Sequence, residues 1–186
     1  GYLNNANTNA TAVGYKNDAT TQNSTAVGRQ NDAFSNYSVA VGAANIASGE
    51  YSSAIGYSNN ITADYSAALG YNNDATASNA TAAGVNNEAA ANYATAVGGK
   101  VVVSGARSSA LGYYTTIGTD DTVEIGQWSS TRAREGSVRI HDNGLVALTM
   151  RSGSAPTASS ATAGYETSTT LAADMYTIQR NGSDYI

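Results

Sequence analysis

"NSTAVGRQNDAFSNYSVAVGAANIASGEYSSAIG" occupies residues 23–56 and says nearly the same thing three times. Gly28, Gly42 and Gly56 each follow a small apolar pair: Ala26-Val27, Ala40-Val41 and Ala54-Ile55. The same fourteen-residue step reaches Gly14 on one side and Gly70, Gly84, Gly98, Gly112 and Gly126 on the other, with no insertion. Self-similarity at a fixed period marks a repeat architecture and is read first.

The residues around each glycine keep their chemistry. Before it stand Val13, Val27, Val41, Ile55, Leu69, Ala83, Val97, Leu111 and Ile125. One step earlier come Ala12, Ala26, Ala40, Ala54, Ala68, Ala82, Ala96 and Ala110, then Glu124. A further apolar position lies nine residues before each glycine from Gly28 onward: Ala19, Ala33, Ala47, Ile61, Ala75, Ala89, Val103 and Ile117. Fourteen residues are too few for two helices and a turn, and the Gly and Asn content disfavours helix. They suit two short strands and two tight corners, stacked coil on coil as a parallel β-solenoid. The alternation Ser-x-Ala-Val has the period of two that a strand requires. The glycine marks a corner with positive φ or no room for a Cβ. The constant alanine marks a site that admits only a methyl, and its Val/Ile/Leu neighbour points to the opposite face.

Asn17, Asn31, Asn45, Asn59, Asn73 and Asn87 each follow a glycine by three residues. In a parallel in-register stack such amides lie about 4.8 Å apart and can hydrogen-bond along the axis. A corner ladder and a ligand-binding row are both open readings of this column. A thin coil cored by alanine buries little apolar area against its ordering entropy. That starved interior, beside a second apolar face, predicts association. Three rolls could share an axial core.

The units "STAVG", "SVAVG", "SSAIG" and "SAALG" resemble the head repeats of YadA-type trimeric adhesins, over residues 1–126. The resemblance implies a left-handed parallel β-roll of fourteen-residue coils assembled as a homotrimer. The same roll occurs in bacterial surface adhesins and in phage fibres.

Residues 127–153 break the register and read as a neck followed by a β-hairpin. "GQWSSTRAREGSVRI" contains Trp128, Arg132, Arg134 and Arg139, a place where the chain could cross to a neighbouring subunit. In "SVRIHDNGLVALTM", Val138 and Ile140 alternate before a turn at Asp142-Asn143-Gly144, the preferred hairpin chemistry. Residues 154–186 read as a linker around Pro156 and an extended C-terminal strand or contact segment with a turn at Asn181-Gly182. This region resembles the terminal segments of phage tail-fibre and virion appendage proteins. Gly1-Tyr2 reads as the cut start of a longer protein or a processed terminus.

The net charge of −5, with nine Lys and Arg, leaves no basic stripe for nucleic acid. No apolar run approaches membrane-spanning length, so no membrane insertion is expected. Without cysteine there is no disulfide. His141 is the only histidine and reads as an exposed or hydrogen-bonding residue beside the hairpin turn. Asp18, Asp32, Asp74 and Glu88 could line up as a calcium row, but Ile46 and Asn60 interrupt it. Asp120, Asp121 and Glu124 lack an aromatic cleft for glycan hydrolysis. No catalytic, cofactor-binding or metal residue is assigned.

Tyr37, Tyr51, Tyr65 and Tyr93 share one repeat phase, and Tyr15, Tyr57, Tyr71 and Tyr113 share another. Such columns either shield the backbone at a corner or form an adhesive stripe, since tyrosine gives rigid amphipathic contact area. Trp128, Tyr176 and Tyr185 are further candidates for surface contact. The expectation is a non-enzymatic trimeric fibre segment of a phage virion, on the tail or the capsid. Its partners would be other virion proteins or a host-surface glycan or protein. The alternative is the head of a bacterial trimeric autotransporter adhesin on the cell surface; a tailspike depolymerase is a third reading.

Overall fold

The computed structural model describes residues 1–129, 132–140 and 146–149, with side chains for 1–126 and Ile140. His141, Asp142, Asn143, Gly144, Pro156, Tyr176, Tyr185 and all of 154–186 lie outside the described residues, as does the Trp128 side chain.

The described chain is a parallel β-solenoid. Coils contribute one long strand, five residues in all but the last, and one two-residue strand. The long strands begin with Thr11–Tyr15, Thr25–Arg29 and Val39–Ala43 and continue to Ser109–Tyr113 and Val123–Ser129. They stack on one side in an eleven-stranded sheet. The short strands, from Asn5–Ala6 to Thr116–Ile117, stack on the other in a nine-stranded sheet. From the second coil onward the register between coils is uniform: Ala26 pairs with Ala40, Val27 with Val41 and Gly28 with Gly42. Each side chain therefore sits over its equivalent in the next coil, one strand spacing of about 4.8 Å away. Among the described residues there is no helix, and so none long and apolar enough to cross a membrane.

The interior between the sheets is very thin. Alternation in the long strand turns Ala26, Ala40, Ala54, Ala68, Ala82, Ala96 and Ala110 inward. Ala19, Ala33, Ala47, Ile61, Ala75, Ala89, Val103 and Ile117 meet them from the short strands. Ala12, in the first complete long strand, is only half-buried. Ile61 and Ile117 head the fully buried side chains by size, followed by Val101 and Val103 and then the asparagines. Buried methyls contribute about 0.8 kcal/mol each, so apolar burial per coil is small. Backbone ladders and polar rows carry much of the coil-to-coil contact.

Gly42 shows why the corner excludes other residues. Its φ is +122°, and a Cβ there would fall 2.0 Å from the Gly56 carbonyl oxygen. The coil-to-coil approach is backbone against backbone, and nothing flexible can give way.

The first coil is one residue shorter than the rest. Asn5 pairs with Asp18 and Ala6 with Ala19, a step of thirteen. Gly1 then occupies the corner glycine position, where a Cβ would meet the Gly14 carbonyl at 2.1 Å. Leu3 takes the left-handed conformation that Lys16 takes one coil later, with φ of 53° and 52°.

At the other end the parallel stack stops on Val123–Ser129. Strand Arg132–Ile140 folds back antiparallel against it, pairing Ile125 with Val138 through a ladder with two register shifts. Strand Val146–Thr149 then pairs antiparallel with Arg132–Ile140, matching Ile140 with Val146. Both extend the long-strand sheet.

Candidate functional site

Columns of equivalent side chains run along the roll. The first is internal. Asn17, Asn31, Asn45, Asn59, Asn73 and Asn87 are at most 1% exposed. In each coil the Asn Nδ2 lies within hydrogen-bond reach of three acceptors. For Asn45 these are Asn31 Oδ1 at 2.9 Å, Val41 O at 3.1 Å and Gly56 O at 2.8 Å. Two hydrogens face three acceptors, so at least one is shared. The column starts earlier than its fourteen-residue spacing suggests, because Asn4 Oδ1 accepts from both the backbone N–H and Nδ2 of Asn17. It ends at Val101, whose backbone N–H donates to Asn87 Oδ1 at 2.9 Å but which has no amide to pass on. Each of the six amides from Asn17 to Asn87 is buried and committed to its neighbours, so the column closes the corner.

The opposite corner holds a serine row. Ser38 Oγ donates to Ser35 O at 2.6 Å, and Ser52 Oγ to Gly49 O at 2.6 Å. Further along, Ser108 Oγ donates to Thr119 O at 2.9 Å and accepts from the Thr122 N–H at 3.0 Å. The Ala-or-Ser alternation at these positions is visible in the sequence. Its purpose, satisfying a tight buried turn, appears only with the backbone in place.

The second column is aliphatic and faces outward from the long sheet. Val13, Ile55, Leu69, Leu111 and Ile125 are between 40% and 54% exposed, with Val27, Val41, Ala83 and Val97 half-buried between them. Thr25, Val39, Ser53, Ala67 and Thr81 lie on the same face two residues earlier along each strand. An exposed aliphatic column of this length is unusual on a monomer.

The third feature is aromatic. Tyr37, Tyr51 and Tyr65 stack along the corner that precedes the long strand. Their centroids are 4.8 and 5.3 Å apart, with interplanar angles of 3° and 8°. Tyr57 stacks on Tyr71 at 5.3 Å and Tyr2 on Tyr15 at 5.5 Å, just after the repeat glycine. The Tyr51 phenol is pushed above its ordinary pKa, first by desolvation and then by Glu50, Tyr37 and Tyr65. All four corner tyrosines, Tyr93 included, have φ between 56° and 61°. That region costs an L-residue roughly 1–2 kcal/mol, and asparagine tolerates it best. Asn9, Asn23 and Asn79 fill the same corner in other coils. Sequence periodicity gave no hint that these tyrosines are held in a left-handed conformation.

Charges at this end of the roll pair between coils. Arg107 grips Asp121 through two donors at 2.5 and 2.6 Å, which raises the Arg107 pKa and lowers that of Asp121. Lys100 Nζ donates to the Tyr114 hydroxyl, raising Lys100 and lowering Tyr114. Asp32 is raised by partial burial and by Asp18 one coil away. Among the described residues no group of three acidic or histidine side chains converges on a metal position. Glu124 replaces the constant alanine in the last coil and is 4% exposed, with Arg139 as its Cα partner on the returning strand.

A fourteen-residue coil with an inward alanine, an outward aliphatic residue, a corner glycine and an internal asparagine defines a recognisable unit. Residues 6–31, 35–59, 47–73 and 75–100 match the family model described as YadA head domain repeat (2 copies). YadA head domain repeats are found in this chain. No curated protein matches it. The YadA head matches fall on the coils whose asparagine ladder is unbroken and stop at residue 100, just before Val101 ends it.

Proposed function

We propose that the chain is a non-enzymatic segment of a trimeric attachment fibre. The outward aliphatic column carries this reading. It runs beside an interior too small to stabilise the roll generously, and three copies could bury it about a common axis. The YadA head repeats agree with a homotrimer, since proteins of that type are trimeric. About nine coils at one strand spacing each form a stiff rod roughly 40 Å long. Such a rod holds a contact surface away from its base.

The finer reading is a phage virion appendage, on tail or capsid, that contacts other virion proteins or a host-surface glycan or protein. The sequence after Gly126 supports it. Strands Arg132–Ile140 and Val146–Thr149 extend the sheet where a bacterial head would be expected to lead into an apolar-heptad stalk. The second reading, a bacterial surface adhesin head, is favoured by the repeat family itself.

Sedimentation equilibrium of the full chain tests the assembly: the expected mass is three times 18.9 kDa, and a stable monomer overturns it. Gold-labelled antibody viewed by electron microscopy separates the two locations, with label on phage particles expected and label on the bacterial surface selecting the second reading. Polysaccharide incubated with the protein is expected to keep its length; shortened chains would restore the depolymerase reading.

A further inference from the structure

The corner tyrosine column has a gap. Tyr37, Tyr51 and Tyr65 cover one another's faces, but the next residue in the column is Asn79 and only then Tyr93. Tyr65 therefore keeps one ring face open, on the side away from Tyr51. Tyr65 and Tyr93 are 59% and 61% exposed, against 47% for both Tyr37 and Tyr51. Two coil steps separate the pair, about 10 Å at the strand spacing. The Asn79 side chain ends well short of the phenol oxygens on either side. Tyr65 and Tyr93 thus flank the Asn79 amide in the column, one coil to either side. Among the described residues that amide takes part in no side-chain hydrogen bond.

The gap is electrically quiet. Its flank is formed by Asp64, Ser78 and Asn92, each one residue before a member of the corner column. The Asp64 carboxylate accepts the Glu50 N–H at 2.8 Å, which draws it toward the preceding coil and away from the gap. Beyond Tyr93, Arg107 is engaged by Asp121. What remains between the rings is uncharged: an amide, a hydroxyl and two aromatic surfaces.

That combination suits a ring with apolar faces and a polar edge. A pyranose presents C–H groups above and below and hydroxyls around its rim. Two contacts of about 5 Å to ring centroids fill the available span. The Asn79 amide, with Ser78 and Asn92, can donate to and accept from the hydroxyls. An acidic sugar would find no cation here, and the one flanking carboxylate, Asp64, is held on the Tyr65 side by the Glu50 N–H. We propose that Tyr65, Asn79 and Tyr93 form a binding slot for one neutral pyranose ring of a surface polysaccharide. This rests on the attachment reading and names its ligand class.

The test is a saturation-transfer and calorimetric titration of the full chain. The probes are neutral trisaccharides of glucose, galactose, mannose and N-acetylglucosamine, with acetyl-arginine amide as a cationic probe. At least one trisaccharide should bind. Asn79→Tyr fills the gap and completes the tyrosine stack, and Tyr93→Ala removes a wall; each should weaken binding by about tenfold or more. Asn23→Tyr adds a tyrosine to the same column outside the slot and should leave binding unchanged. Circular dichroism and sedimentation of Asn79→Tyr should match the parent, so that a loss is not unfolding. Binding by no trisaccharide, binding that survives Asn79→Tyr, or binding of the arginine probe alone overturns the proposal. If antibody labelling places the chain on a fibre and the titration is silent, the slot fails alone. If labelling finds no fibre, the attachment reading fails, while a trisaccharide response abolished by Asn79→Tyr still establishes the slot.

Discussion

Asn45 donates both its side-chain Nδ2, at 2.9 Å, and its backbone N–H, at 3.2 Å, to the single Oδ1 of Asn31. Its own Oδ1 receives the same two donors from Asn59. Each amide is thus both a donor downward and an acceptor from above, and removing one strands groups on both neighbours.

Asn45→Ala should therefore cost far more than a lost side chain. It leaves the buried Asn59 N–H, the Asn31 Oδ1 and the Gly56 carbonyl short of partners. At about 1–3 kcal/mol per buried unsatisfied group, a loss of roughly 3 kcal/mol or more is expected. The exposed amide pair Asn72–Asn86 supplies the comparison: Asn72→Ala loses one solvent-exposed bond and places an alanine at φ 52°, so it should cost about 1 kcal/mol, well below the ladder variant.

Two neighbouring corner positions should respond in opposite directions. Gly42→Ala forces a Cβ to 2.0 Å from a backbone oxygen at φ +122° and should abolish folding. Ala44→Gly relieves an alanine held at φ 56° and should stabilise by about 1 kcal/mol, read as a higher melting temperature.

The two faces of one strand should separate folding from assembly. Ala68 is fully buried between Ala54 and Ala82. Ala68→Leu should lower stability by about 3 kcal/mol or prevent folding, through overpacking. Leu69→Asp changes the exposed neighbour and should keep the circular dichroism of the roll while shifting sedimentation from trimer toward monomer. Unaltered melting in Ala68→Leu would mean the coil interior can expand.

Acid titration has a predictable sign at Asp32. Burial and the nearby Asp18 raise its folded pKa above 3.8. Its ionisation is thus harder in the folded protein than in the unfolded one. It lowers stability as pH rises through that raised value, and the loss persists at neutral pH. Asp32→Asn should melt higher than the parent at pH 7, with the gap closing as pH falls below the ordinary carboxylate range. Asp121 runs the other way. Held low by Arg107, it contributes above its ordinary value and loses that contribution on stronger acidification.

The parts of this architecture legible in sequence are those where one position admits one chemistry. The glycine corner and the inward alanine are fixed by backbone contact and by a methyl-sized gap, so they recur and can be counted. The first coil escaped that counting because it is one residue short, although "GYLNNA" at residues 1–6 copies "GYKNDA" at 14–19. The left-handed corners escaped for a different reason. Lys16, Gln30, Ala44, Ser58 and Asn72 all adopt φ of 52–56° at one of them. The ladder imposes that conformation whatever the side chain, so residue type carries no signal. For the tyrosines, period established the column but could not say which ring faces are covered. That depends on distances between coils, and it is what separates a shielding stack from a slot.

Uniform register has a consequence for how reach is set. Since a coil touches only the one before and the one after, energies add unit by unit. Duplicating or deleting fourteen residues between two glycines therefore lengthens or shortens the rod by a single strand step and leaves every remaining junction intact. Reach behaves as a ruler with graduations of about 4.8 Å, adjustable by recombination within the gene and independent of whatever is mounted at either end.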